Sequence, residues 1–333
     1  MAQERIQCVD IAKGLGMLMV VFGHLDMYGM NLDGASSFIY VFHVPLFFFL
    51  SGLFFRKNDT IGKTIVSKLK GLYLPYLLAN VAFFAIDALR GRPHTGGVGF
   101  LFGLQIAPLV GSLWFVICLF YSAVLYKLVD KLCRGNLTAV SIIAMSAFII
   151  GYKIPQLNIV NQTLVGFFIY HIGRLISEFD GLSRWAKLPF NIQTLAFAVS
   201  GTAIWFLNKV HDLNMASGQY GMPLLFILGV MLGIIFTFSL SCILANVPKV
   251  GTVFEYVGKR TMWIIVFHMA LIQAVFVFHG FILAYVGKMD IPTWVWYILA
   301  FLVSSFVPCL LRDGWKFIVR VREKHLSNQS TNE

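Results

Sequence analysis

Ten apolar stretches, each long enough or nearly long enough to cross a bilayer, set the terms on which this chain can fold. They cover residues 11–30, 36–55, 72–88, 113–128, 137–152, 163–176, 192–208, 223–244, 262–282 and 291–311, with the fourth to sixth shorter than the rest. A hydrocarbon core about 30 Å thick is crossed by some 20 apolar residues in a helix, which pairs every backbone N–H and C=O within itself. The chain is 58% hydrophobic and 12% charged, with a mean hydropathy of +0.78, and this excludes an ordinary soluble domain. The expected fold is an all-α integral membrane protein of about ten transmembrane helices. One membrane domain occupies residues 1–311, followed by a tail, 312–333, that is basic, then polar and disordered at its end.

Charge placement tests that count. Of the 26 Lys and Arg residues, Arg90, Arg92, Lys153, Lys209 and Lys288 fall in loops on one side, leaving 21 on the other. An asymmetry that alternates loop by loop supports ten spans with both termini in the cytoplasm. The net charge of +11 follows from the same rule. Basic loops beside anionic lipid headgroups account for it, and no nucleic-acid partner is called for. The first stretch lacks a small-residue cleavage site and is expected to remain as a span. The five cysteines show neither CxxC nor metal-type spacing and read as apolar filler.

Inside the first span the run Asp10-Ile11-Ala12-Lys13-Gly14 leads to Phe22-Gly23-His24. On a helix, Lys13 and His24 stand about 20° apart around the axis and roughly 16 Å apart along it. One face thus carries a cation near one membrane surface and an imidazole deep within, and such costly placements mark function. Asp10, one turn before Lys13, can pair with it. His43 begins the second span in Tyr40-Val41-Phe42-His43-Val44-Pro45. A short outer turn joins the two spans, so His24 and His43 reach comparable depths, where general-base chemistry is available. A metal is the less fitting reading, for want of a carboxylate or third histidine at a suitable spacing.

Further positions complete the candidate set. Ser51, in Ser51-Gly52, reads either as a nucleophile or substrate contact or as a small packing residue. His268, within the ninth span, could close a polar pocket with His24 and His43. Trp114 opens the fourth span as an interfacial belt residue or a substrate contact. The other histidines (His94, His171, His211, His279 and His325) fall in or near loops and receive no role. The basic stretch holding Arg56, Lys57, Lys63, Lys68 and Lys70 is either a positive-inside anchor or a site for a phosphate-bearing cytosolic ligand. Pro75 stands near the start of the third span, where its missing N–H does least harm. The outer segment from Arg90 to Ser112, rich in glycine, reads either as a flexible loop or as a piece that lies along the interface or dips back into the protein.

Taken together and in this order, these pieces resemble the acyltransferase-3 family of integral membrane acyltransferases, and within it the fucose O-acetylase-like branch. The resemblance rests on Asp10 to Gly14 leading to Val20-Val21-Phe22-Gly23-His24, then Phe42-His43-Val44-Pro45 running to Ser51-Gly52. The basic residues before Leu74-Pro75-Tyr76, together with Leu113-Trp114-Phe115 and Phe267-His268, add to it. It implies acyl transfer, usually of acetyl from cytosolic acetyl-CoA or another acyl-CoA, to a hydroxyl of a cell-envelope glycan or lipid-linked sugar. The enzyme would sit in the bacterial inner membrane and hold no permanent cofactor. Lys13 and His24 match the family's catalytic pair. His24 would act as general base or acyl carrier, with Asp10 orienting Lys13, and His43 orienting His24 or meeting the acceptor. Where the family often has two arginines three apart, this chain has Lys68 and Lys70 two apart. A multi-span transporter or flippase is the rival reading, but inverted repeats and broken spans in matching halves are not legible. A non-catalytic partner in a glycan-assembly complex is a second rival.

Overall fold

A computed structural model describes residues 7–31, 33–91, 97–104, 106–154, 158–210, 213–285 and 291–330. Arg5, Arg92, His94, His211 and Lys288 lie outside the described residues, as do the side chains of Lys324 and His325. Among the described residues, nine helices are long and apolar enough to cross a membrane, and a shorter apolar helix, Leu137–Lys153, makes a tenth. Each coincides with one expected stretch, from Gln7–Tyr28 and Gly34–Leu53 to Thr261–Ala284 and Thr293–Glu323. The protein is an all-α multi-span membrane protein. Below, "inner" denotes the side carrying the basic loops.

The first two spans form the centre of the bundle: in the most apolar 18 residues of each, 72% and 78% are buried, against 17% for Phe190–Val210. Glycine lets their neighbours approach. The helix Pro248–Gly258, too short and polar to span, lies against the inner end of the first span so closely that a Cβ on Gly14 or Gly258 would overlap the facing backbone. Arg260 and Tyr256 at the end of that helix bind Asp313 of the last span, with Arg260 Nη2 2.8 Å from its carboxylate.

Prolines shape the two elements that frame the site. The second span is two helices, Asp33–Tyr40 and His43–Leu53. Pro45 has no N–H to give to Val41, and its ring crowds that carbonyl, so the helix breaks at Val41 and Phe42. The stretch expected as a basic loop is largely helical. A helix Ile61–Lys68 passes through a wide π-turn, Leu69–Tyr73, into Leu74–Leu89. Pro75 again explains the irregularity, since a π-turn accommodates the bond it cannot make to Gly71.

The outer segment re-enters the protein. Its described residues include two tight turns, Gly97–Phe102 and Pro108–Leu113. Tyr76 donates to Phe100 O at 2.5 Å, Tyr73 to Leu101 O at 3.2 Å, and Ala107 N donates to Asn80 Oδ1 at 2.9 Å. Irregular backbone inside a bilayer needs such partners. Finally, the last helix, Thr293–Ser330, carries the basic part of the tail as a helical extension of the tenth span.

Candidate functional site

The first helix brings Lys13 and His24 onto one face, as its period requires. Lys13 Nζ lies 3.5 Å from Asp10 Oδ1 and 4.6 Å from the centroid of the Phe54 ring, with its side chain 28% exposed and that of Asp10 4%. Buried acid, half-buried ammonium and aromatic face thus hold one cation at the inner end of the bundle. Beside it opens a cavity of about 260 Å³, lined by Lys13, Ser51 and Lys68 among apolar residues of the first, second, third, fourth and ninth spans. Ser51 and Lys68 therefore join Lys13, although no sequence spacing connects them. The neighbouring Gly52 meets the backbone of Tyr170 and Arg174, so the Ser-Gly pair serves cavity and packing at once.

The four expected phosphate-binding residues divide. Lys68 lines the cavity, while Lys70, on the π-turn, is exposed and does not line it. Arg56 and Lys57 are exposed, and their carbonyls are held by Lys127 Nζ at 3.0 and 2.9 Å. That lysine is almost fully buried and lies 4.8 Å from the Phe55 ring centroid. It positions the basic loop, and sequence reasoning counted it only as a topology charge. Within the loop, the hydrogen bond from Lys63, 2.8 Å away, holds the Asp59 carboxyl below the usual carboxylate range.

Deeper and outward lies the histidine cluster. His24 and His268 stand ring to ring, centroids 5.1 Å apart and planes tilted by 46°. His24 Nδ1 contacts Met27 Sδ at 3.4 Å, a weak acceptor, which leaves Nε2 as the basic nitrogen of the neutral ring. His268 is fully buried. Its Nδ1–H is shared between the carbonyls of Ile264 and Ile265 at 3.0 and 3.1 Å, and its Nε2 has no partner. His43 is held in one tautomer as His268 is, by a carbonyl one turn back in the chain. Its Nδ1–H donates to Ile39 O at 2.9 Å, a carbonyl that also accepts from Phe42 N at 3.1 Å.

Tyr40, which sequence reasoning passed over, ties the two first spans at this level. It donates to Gly23 O at 2.8 Å, packs against Gly23 and stands 5.2 Å, centroid to centroid, from His43. The legible signal was its position one turn before His43. Trp114 is not part of this cluster. It lines a separate outer cleft of about 750 Å³ with Phe102, Tyr121, Gln162 and Thr163, so the three expected substrate contacts occupy three places. Of the histidines set aside as near loops, His171 is instead buried inside Asn158–Glu178, and His279 stacks on Trp296 at 4.5 Å within Thr261–Tyr285. Among the described residues, no group of three or more His, Cys, Asp or Glu could hold a metal ion.

This arrangement offers an inner cavity with two ammonium groups, and beyond it three imidazoles, of which His268 keeps a nitrogen without a partner. Comparison with known proteins adds a family: the sequence model described as an acyltransferase domain, of the acyltransferase-3 type, matches residues 6–313. The chain is also similar to nodulation protein NolL of Mesorhizobium japonicum (strain LMG 29417 / CECT 9101 / MAFF 303099), at 26% identity over 182 residues. That match covers 51% of this chain and 47% of NolL, so it spans about half the length of this curated relative. No solved structure matches the chain.

Proposed function

The chain belongs to the acyltransferase-3 family, and from that premise we propose that it is a membrane O-acyltransferase of the bacterial inner membrane. Its donor is cytosolic acyl-CoA, acetyl-CoA first among them, and its acceptor is a hydroxyl of a cell-envelope glycan or lipid-linked sugar. The observation that carries this reading is one helix face with a two-lysine cavity at its inner end and a histidine cluster further out. Phosphates of the donor meet Lys13 and Lys68 at the mouth, with Arg56 and Lys57 nearby as further cations. The apolar walls then receive the thioester end.

The chemistry follows from which nitrogens are free. His24 Nε2 takes the proton of the acceptor hydroxyl as its oxygen attacks the thioester carbonyl. The C–S bond then breaks, and the same proton passes to the departing thiolate, giving ester and CoA thiol. A positioned general base of this kind contributes about 10²–10⁴-fold. Lys13, held by Asp10, fixes the donor, and His43 and His268 surround the acceptor hydroxyl. A two-step route through an acyl-His24 intermediate uses the same groups.

Membranes containing wild type or His24→Ala, supplied with radiolabelled acetyl-CoA, test the reading. Label should enter the glycan or lipid-linked fraction with wild type alone, at equal protein levels. Equal label in both would remove His24 from the mechanism, and label in neither would count against this donor and acceptor.

A further inference from the structure

The cavity beside Lys13 stops short of the histidines, and aromatic rings help to stop it. Its outermost lining residues are Met17 on the first span, Phe47 on the second, Phe115 on the fourth and Ile265 on the ninth. His43 follows Phe47 outward by about 6 Å, His268 follows Ile265 by about 4.5 Å, and His24 follows Met17 by about 10 Å. The rings of Phe47 and Phe115 stack across this end, centroids 5.6 Å apart and planes at 28°, with 9% and 5% of each residue exposed. Phe47 is seated in the notch left by Gly16, where a Cβ would stand 3.3 Å from Phe47 Cζ and 2.8 Å from Leu46 Cδ2. Gly16 lies about 60° from Lys13 and about 80° from His24 around the first helix, so the rings flank the face that joins the two.

Reacting atoms must come within about 3–3.5 Å of each other. A thioester in the cavity is therefore separated from a hydroxyl at His24 by this wall. On the near side the walls are apolar, with Leu50, Val116, Leu119 and Met262. On the far side stand three imidazoles, one with an unpaired buried nitrogen. A long alkyl chain pushed past the wall would lie against these polar groups and bar them from their partners.

Resting on the acyltransferase reading above, we propose that the Phe47–Phe115 pair is the acyl-length filter of the enzyme. Phe47 swings off Phe115 to admit a two-carbon acyl group, and the two rings reject longer ones. A swing of this kind breaks one ring contact and leaves the helices in place.

Two measurements on the full-length protein in membranes decide it. The first compares acetyl-CoA with hexanoyl-CoA as donors for wild type, Phe47→Ala and Phe115→Ala. The ratio of hexanoyl to acetyl transfer should rise at least tenfold in either variant, and an unchanged ratio in both would overturn the filter. The second does not use activity. Val20, buried on the first-span face between Met17 and His24, is replaced by cysteine in a protein whose five native cysteines are alanine. A thiol reagent applied from the inner side should label Val20→Cys strongly when Phe47 is also alanine, and at least tenfold less when Phe47 is present. Equal labelling, or none, in both backgrounds would overturn the partition. If labelling behaves as expected while wild type transfers nothing from acetyl-CoA, the partition stands and the acyltransferase reading fails.

Discussion

His24 and His171 are both histidines inside spanning helices, yet their surroundings are opposites. His171 is buried and saturated. Ser141 donates to Leu137 O at 2.8 Å and so accepts from His171 Nε2–H at 2.8 Å, which leaves Nδ1 to accept from Tyr126 at 2.9 Å. Every polar atom in that chain has its partner, which fixes one tautomer and joins the fourth, fifth and sixth spans. His24 has a thioether as the partner of Nδ1, and it faces a histidine whose Nε2 has none. Burial of an ionisable group in a bilayer therefore does not by itself mark chemistry. A ring with unused hydrogen-bonding capacity can still meet a substrate, whereas a saturated ring has no lone pair left for one.

The widest separation between the two should come from truncating each. His24→Ala should lower transfer by about 10³-fold, the scale of a lost general base, with little change in melting temperature in detergent. His171→Ala should do the reverse. It strands the Tyr126 hydroxyl, at about 1–3 kcal/mol for the unsatisfied donor, and should lower the melting temperature while turnover per folded molecule holds. If both variants lost activity and stability together, the contrast would collapse.

His268→Leu sharpens the same point. Removing an unpaired buried nitrogen relieves a desolvation cost, so the melting temperature should hold or rise while transfer falls by about tenfold. A melting temperature that fell with activity would make His268 a packing residue like His171. At the cavity mouth, Lys68→Ala should raise KM for acyl-CoA by about fivefold, the worth of one charge-assisted contact, and Lys70→Ala should leave it unchanged. Equal effects would mean that the basic stretch acts as a diffuse field.

The smallest effect concerns the inner rim. The hydrogen bond from Lys259, with that from Gln7 adding to it, holds the Glu255 carboxyl below its ordinary value of 4.5. A depressed pKa stabilises the folded state above that ordinary value, and the gain is lost as pH falls through the lower folded value. Wild type should lose a few tenths of a kcal/mol more than Glu255→Gln between pH 7 and pH 4, read as a melting shift. An identical shift in both proteins would remove this pair from the stability of the rim.

Much of this is legible in the sequence. Hydropathy located the ten spans because a bilayer demands internally paired backbone, and loop charges ordered them. Helical period alone aligned Lys13 with His24. Other features were not legible. His171 is set aside with the loop histidines although the expected stretch 163–176 contains it, because its role is set by Tyr126 and Ser141 on two other spans. Lys127 read as a topology charge because its partners are backbone carbonyls some 70 residues away in the chain.

The sequence by itself determined the membrane class, the order of the spans and the helix face on which a cation and an imidazole lie, because each follows from local periodicity and the bilayer's demands. Only the tertiary structure decided which histidines keep a nitrogen unpaired, that Ser51 and Lys68 join Lys13, that Trp114 stands apart, and that Phe47 meets Phe115 at the end of the cavity. Those are contacts between distant segments, set by close packing at glycines and by the breaks that Pro45 and Pro75 impose.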